Sequence, residues 1–134
     1  MERIEVAAGV VTDEQGRYLL CRRTGRLAGL WEFPGGKRET GESYQRCLER
    51  ELREELSLTV RAGDILWETE EQTADRLVHI AFVAAVAADG EAMRLSVHDK
   101  AAFIAPEEWA TYAFCPADAQ FAAWLKAQSV VRGR

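Results

Sequence analysis

The chain is poor in the residues that build cross-linked or metal-clamped scaffolds. Its three cysteines, Cys21, Cys47 and Cys115, lie far apart and form no CxxC pair. That excludes a disulfide framework and a zinc knuckle, and leaves reduced, buried thiols of an intracellular protein. Positive charge is also in deficit, with a net charge of -5 and a pI of about 5.1. A nucleic-acid backbone needs a positive surface to grip it, so nucleic acid is not an expected partner. A phosphorylated small molecule stays open if a divalent cation screens it. No apolar run is long enough to span a membrane. The opening MERIEVAAGVV carries charge where a signal peptide needs an apolar core, so the expected location is the cytoplasm, with no membrane partner.

What is present fits one domain over residues 1–134, with 48% hydrophobic and 29% charged residues. No repeat, linker or low-complexity segment interrupts it. Ile4 to Thr12 and Tyr18 to Arg22 flank turn chemistry and predict a hairpin. Trp31 to Phe33 reads as a short extended piece, broken by Pro34-Gly35-Gly36. A helix is expected from Glu42 or Ser43 to about Ser57, then strand at Leu58–Val60, Ile65–Thr69 and Arg76–Val86. A turn at Asp89-Gly90 is expected to lead into a strand around Met93–Val97. Pro106 and Pro116 open helices, each in a favourable first-turn position. Strands, one helix, strands and a terminal helix make an α+β sandwich rather than a regular βαβ array.

The segment Gly36 to Leu58, GKRETGESYQRCLERELREELSL, departs from ordinary patterning. At 100° per residue Tyr44, Cys47, Leu48 and Leu52 form an apolar arc, with Arg46, Glu49 and Arg53 opposite. Glu51 and Glu55 fall inside the apolar arc and Glu54 lies at its edge. Burying unpaired carboxylates costs several kcal/mol or forces protonation. A cation between them resolves the conflict; a solvated charged face, or a protein-interaction face, is the plainer alternative.

Gly36, Glu42, Arg50, Glu51, Leu52, Glu54, Glu55 and Leu58 match the Nudix box, with Ser57 in place of its second glycine. The preceding Leu30-Trp31-Glu32-Phe33-Pro34-Gly35-Gly36-Lys37 resembles the MutT-like nucleoside triphosphate pyrophosphohydrolases. This resemblance runs over essentially the whole chain. It implies a Nudix-type α/β/α sandwich with a mixed sheet, a central catalytic helix and a C-terminal helix. It also implies Mg²⁺, with Mn²⁺ as a substitute, held by Glu51, Glu54, Glu55 and the Gly35 carbonyl. Arg50 would orient Glu51 or Glu54, and Glu42 would brace loop and helix. Gly36, Leu52 and Leu58 would be structural positions of the box. Ser57 falls where a left-handed residue ends the helix.

For the substrate, Arg22, Arg23 and Lys37 are the local cations for a phosphate chain, though Arg23 reads equally as solubilising charge. The family glutamate that commonly acts as general base aligns with Val97. Glu54 is therefore ranked first as base and Asp99 second, with His98 assisting. The resemblance leaves a nucleoside triphosphate as substrate, because the proline, tyrosine and SQPWPFPxS marks of other subfamilies are absent. Asp118 aligns with an asparagine of 8-oxo-dGTP enzymes. An ionised Asp only accepts hydrogen bonds, which suits the amine of cytosine as in CTP or 5-methyl-dCTP; its plainer role is to charge the first turn of the last helix. Phe33 and Phe82 would stack on the base or pack in the core. The partner is a small-molecule nucleotide, the assembly a monomer or homodimer. A Nudix-fold binding or regulatory module with little hydrolysis is the second reading.

Overall fold

The computed structural model describes residues 1–88 and 92–132; the turn expected at Asp89-Gly90 lies outside them. Strand β1 (Glu2–Thr12) is the axis of the fold. It runs parallel to β6 (Arg76–Ala87) in continuous register from Glu2↔Arg76 to Thr12↔Val86. On its other side it pairs with the short β4 (Gly35–Lys37). Strand β5 (Val60–Gln72) forms the antiparallel edge beyond β6. Strand β2 (Tyr18–Arg23) pairs with β3 (Trp31–Glu32) and β7 (His98–Ile104), and touches β1 through Thr12↔Tyr18. The expected β1–β2 hairpin therefore closes at its turn and then splays, because β6 and β4 already occupy the flanks of β1.

Alternation along β1 feeds two cores. Ala7 and Val11 pack with Leu19, Cys21, Cys47, Leu48, Leu52, Leu56 and Leu58 beneath helix α1 (Tyr44–Leu56). Ala8 and Val10 face the opposite layer, with Phe33, Phe82, Trp109 and Phe121 beneath helix α2 (Pro116–Arg132). The result is an α/β/α sandwich on a mixed sheet. Each buried leucine of α1 contributes roughly 2 kcal/mol of burial. Gly9 belongs where β1 passes under α1, since a Cβ there would meet Leu48 at 2.9 Å.

Two expectations change. The strand pieces read at Leu58–Val60 and Ile65–Thr69 are one strand from Val60, whose two register shifts, at Ala62/Ile65 and Ile65/Trp67, break the alternation. Met93–Val97 is not a strand. The backbone N–H groups of Arg94 and Ser96 donate to the carbonyls of Leu56 and Glu55 at 2.9 and 3.2 Å. That segment satisfies carbonyls orphaned at the end of α1 instead of joining a ladder. Pro106 opens a 3₁₀ turn reaching Thr111. Among the described residues no helix is long and apolar enough to cross a membrane.

Candidate active site

Helix α1 starts at Ser43, whose Oγ accepts from the Arg46 backbone N–H at 3.0 Å. It ends at Ser57, which adopts the left-handed conformation (φ 54°, ψ 35°) that the box normally gives to glycine. Between these caps the buried leucines fix the helix rotation, and with it the carboxylates. Glu49 is not on a purely solvated face: its Oε2 accepts from the Ala62 N–H at 3.0 Å and ties α1 to β5.

Arg50 is the hub of the box. Its Nε and Nη2 grip the two oxygens of Glu42 at 2.6 and 2.9 Å, and Nη2 also reaches the Lys37 carbonyl at 3.0 Å. Nη1 lies 3.3 Å from Glu51 Oε1 and 3.2 Å from Glu54 Oε1. The Arg50 hydrogen bond holds the Glu42 carboxyl down at about 2. Such a fully engaged guanidinium is a bracket between loop and helix rather than a free phosphate clamp.

Glu51 lies directly on the glycine turn. A Cβ on Gly36 would sit 2.3 Å from Glu51 Cδ, and one on Gly35 would sit 1.8 Å from the Ala7 carbonyl oxygen. Both glycines are thus demanded by close approach, of carboxylate in one case and backbone in the other. Glu55 lies one helical turn beyond Glu51. Burial, a hydrogen bond to Glu51 and the charges of Glu51, Glu32 and Glu54 push its carboxyl up to about 8. Glu54 stays exposed. Without a cation, burial and the neighbouring Glu51 favour the protonated form of Glu55. The donor set is all hard oxygen, so Glu51, Glu54, Glu55 and the Gly35 carbonyl fit a magnesium-type ion.

Two cavities adjoin this face. One, of about 280 Å³, is lined by Gly35, Glu55, Glu32, Arg23, Val97 and His98 among others. The other, of about 400 Å³, shares Gly35, Glu32 and Arg23 with it and continues past Lys37, Arg26 and Arg76 to Cys115 and Asp118. Asp118 is buried and its Oδ2 accepts from the Phe33 N–H at 2.9 Å. Burial above all pushes its carboxyl up to about 8, with Glu32 adding to the rise. Carboxyl oxygens of Glu32 and Asp118 and the Cys115 thiol lie within 4.8 Å of one another.

Three sequence expectations fare differently here. Arg22 and Asp99 face each other in a two-pronged pair, Nε–Oδ1 and Nη2–Oδ2 both 2.9 Å. This hydrogen-bonded pair lowers the Asp99 carboxyl, making it a poor proton acceptor and committing the Arg22 fork away from phosphate. Neither residue lines either of the two cavities. Phe82 is fully buried and stacked on Phe121 at 4.3 Å, and Phe33 is 2% exposed among Phe82, Trp109, Phe114 and Phe121. Phe82 belongs to the aromatic core and lines neither cavity, whereas Phe33 shares that core and also borders the larger cavity. Lys37 and Arg23 do border the larger cavity, Arg23 with Nη1 3.0 Å from Glu32 Oε1.

Sequence reasoning missed Glu32, Cys115, Arg26 and Arg76. A carboxylate between Trp31 and Phe33, in an otherwise apolar run, was a signal for Glu32. Nothing local marks the other three.

An α/β/α sandwich that presses an acidic helix against a Gly-Gly turn defines a class. The family model described as NUDIX domain matches residues 2–125, and the chain belongs to this family of hydrolases. It is 34% identical over 120 residues to the CTP pyrophosphohydrolase of Escherichia coli K12, covering 88% of this chain and 87% of that one. It is 32% identical over 83 residues to the 8-oxo-dGTP diphosphatase of Proteus vulgaris, covering 60% and 74%. The solution structure of the E. coli ORF135 protein superposes with a TM-score of 0.83 at 32% identity, covering 98% and 94%. The MutT protein of Methanosarcina mazei Go1 shares the fold, with a TM-score of 0.81 at 24% identity and coverage of 99% and 97%.

Proposed function

We propose that this hydrolase converts a nucleoside triphosphate to the monophosphate and pyrophosphate in a magnesium-dependent reaction. The observation that carries the reading is the shared wall of the two cavities: Gly35, Glu32 and Arg23 border both the carboxylate face and the pocket that ends at buried Asp118. A triphosphate needs such a pair of spaces, one for charge and one for a base. The metal, when bound, neutralises phosphate charge and acidifies water. Glu51, Glu55 and the Gly35 carbonyl would hold it, with Arg50 fixing Glu51 and Glu54. Arg23 and Lys37 bind phosphate. Glu54, the exposed carboxylate of the set, takes the proton of the attacking water at its free oxygen, Oε2.

The relative named for CTP favours a cytosine nucleotide. A second reading, an 8-oxo-dGTP-like substrate, is favoured by the burial of Asp118, which raises its carboxyl towards the protonated form. A protonated Asp118 both donates and accepts, as an asparagine does. The test is a panel of CTP, dCTP, 5-methyl-dCTP, dGTP and 8-oxo-dGTP with Mg²⁺, run on the wild type and Asp118→Asn. Cytosine preference that weakens in the variant supports the first reading, and oxidised-guanine preference retained in it supports the second. Tight binding without pyrophosphate release from any nucleotide would establish a binding module instead.

A further inference from the structure

We propose that His98 is a positioning residue for base selection, its Nε2–H holding Glu32 in the wall between the two cavities and, through Glu32, the Arg23 guanidinium. This rests on the reading of the larger cavity as the base pocket.

The backbone sets the arrangement. Across β2 and β7, Arg22 faces Lys100 whereas Arg23 faces His98, so Asp99 is the extra residue of a bulge. A bulge re-aims neighbouring side chains. Here it sends Asp99 out to Arg22 and turns His98 in, leaving the imidazole 2% exposed. Inside, His98 Nε2 lies 2.8 Å from Glu32 Oε2, while the other oxygen of Glu32 takes Arg23 Nη1 at 3.0 Å. Arg23 is itself tethered, its Nε donating to the Arg26 carbonyl at 2.9 Å.

The tautomer follows from the same contacts. Nδ1 of His98 is buried and has no hydrogen-bond partner among the described residues. A proton there would be an unsatisfied buried donor, whereas a proton on Nε2 is accepted by Glu32. His98 borders only the smaller, carboxylate-side cavity, whereas Glu32 and Arg23 border both. The imidazole therefore does not touch the base. It fixes the carboxylate that has one oxygen within 4.8 Å of an Asp118 oxygen and of the Cys115 sulfur. The Thr24 hydroxyl, donating to the Val97 carbonyl at 2.8 Å, holds the loop from which His98 enters.

Side-chain topology supplies a clean test. The amide nitrogen of Gln is three bonds from Cβ, like Nε2, and that of Asn is two bonds away, like Nδ1. In His98→Asn, KM for the preferred nucleotide should rise on the order of tenfold, as for loss of one hydrogen bond to a charged group, with kcat changed by no more than about twofold. Discrimination against the poorest base should fall by a similar factor, and His98→Gln should restore most of both. In a Glu32→Gln background the Asn substitution should add little. Side-chain ¹H–¹⁵N spectra should show the imidazole proton on Nε2, with that resonance displaced by Glu32→Gln. Asn and Gln behaving alike, effects that add across the pair, or a proton on Nδ1 would each overturn the proposal. If the wild type turns over no nucleotide, the functional reading falls, while the imidazole spectrum still decides the His98–Glu32 pair.

Discussion

Glu55 links stability to pH in a way that one substitution exposes. In the metal-free protein its carboxyl is raised from the ordinary 4.5 to about 8, by burial first and then by the Glu51 hydrogen bond and charge. Between these values the native state keeps a proton that the unfolded chain has released. Stability attributable to Glu55 is therefore greatest below about pH 4.5 and is lost as pH rises towards 8. At 1.36 kcal/mol per pH unit the full shift corresponds to roughly 5 kcal/mol, which solvent screening of a partly exposed group reduces to about 2–3 kcal/mol. Glu55→Gln replaces the carboxyl with an amide that needs no proton. In urea unfolding with EDTA, the variant should match the wild type near pH 5 and exceed it by about 2–3 kcal/mol at pH 8. Asp118, also raised to about 8, leaves a residual slope of the same sign in both proteins. Magnesium should stabilise the wild type progressively more from pH 6 to 8, because it displaces the Glu55 proton, and should stabilise the variant little. Parallel stability curves for the two metal-free proteins across pH 5–8 would refute the reasoning.

Ser57→Gly should stabilise the protein by about 1 kcal/mol, since a Cβ in the left-handed region is disfavoured; thermal or urea unfolding reads it, and no gain would count against the strain. Gly36→Ala drives a methyl into the Glu51 carboxyl, so turnover should fall at least about a hundredfold, with circular dichroism reporting a retained fold. His79 lies 2.6 Å from Glu68 and 3.0 Å from Glu70. Burial opposes its charge, but the two carboxylates outweigh it and raise the ring. Its contribution is present below the ordinary 6.5 and lost as pH rises through the raised value, so His79→Gln should flatten stability there by no more than about 1 kcal/mol.

The carboxylate face of α1 was legible because it is local. Glu42, Arg50, Glu51, Glu54 and Glu55 share one helix and its approach, where spacing translates directly into geometry. The cap at Ser57 and the glycine turn were readable for the same reason. The larger cavity was not, because it is assembled from distant segments. Asp118 meets the Phe33 backbone across 85 positions, and His98 meets Glu32 across 66. Arg22 and Asp99 both carry plausible chemistry on paper, yet they neutralise each other across 77 positions. Phe82 illustrates the opposite failure: aromatic residues suit a base and a core equally, and only packing decides. Bulges hid the continuity of β5, because each shifts the inward phase that sequence alternation reports.

The segment 94–96 is seated on the end of α1 by peptide N–H groups at Arg94 and Ser96. Every residue type except proline carries that donor, and the Ser96 hydroxyl adds a second hydrogen bond to the Glu55 carbonyl at 3.1 Å, so the seat rests on backbone at Arg94 and on backbone and side chain at Ser96. Val97, next in line and half exposed, borders the cavity that holds Gly35 and Glu55. Mutation can therefore exchange the side chain at position 97 while the loop that presents it stays docked. In evolutionary terms the loop is a socket with a standard fitting. A carboxylate can be introduced there, as in Val97→Glu, at little cost to folding, while the helix carboxylates below stay where the buried leucines of α1 hold them.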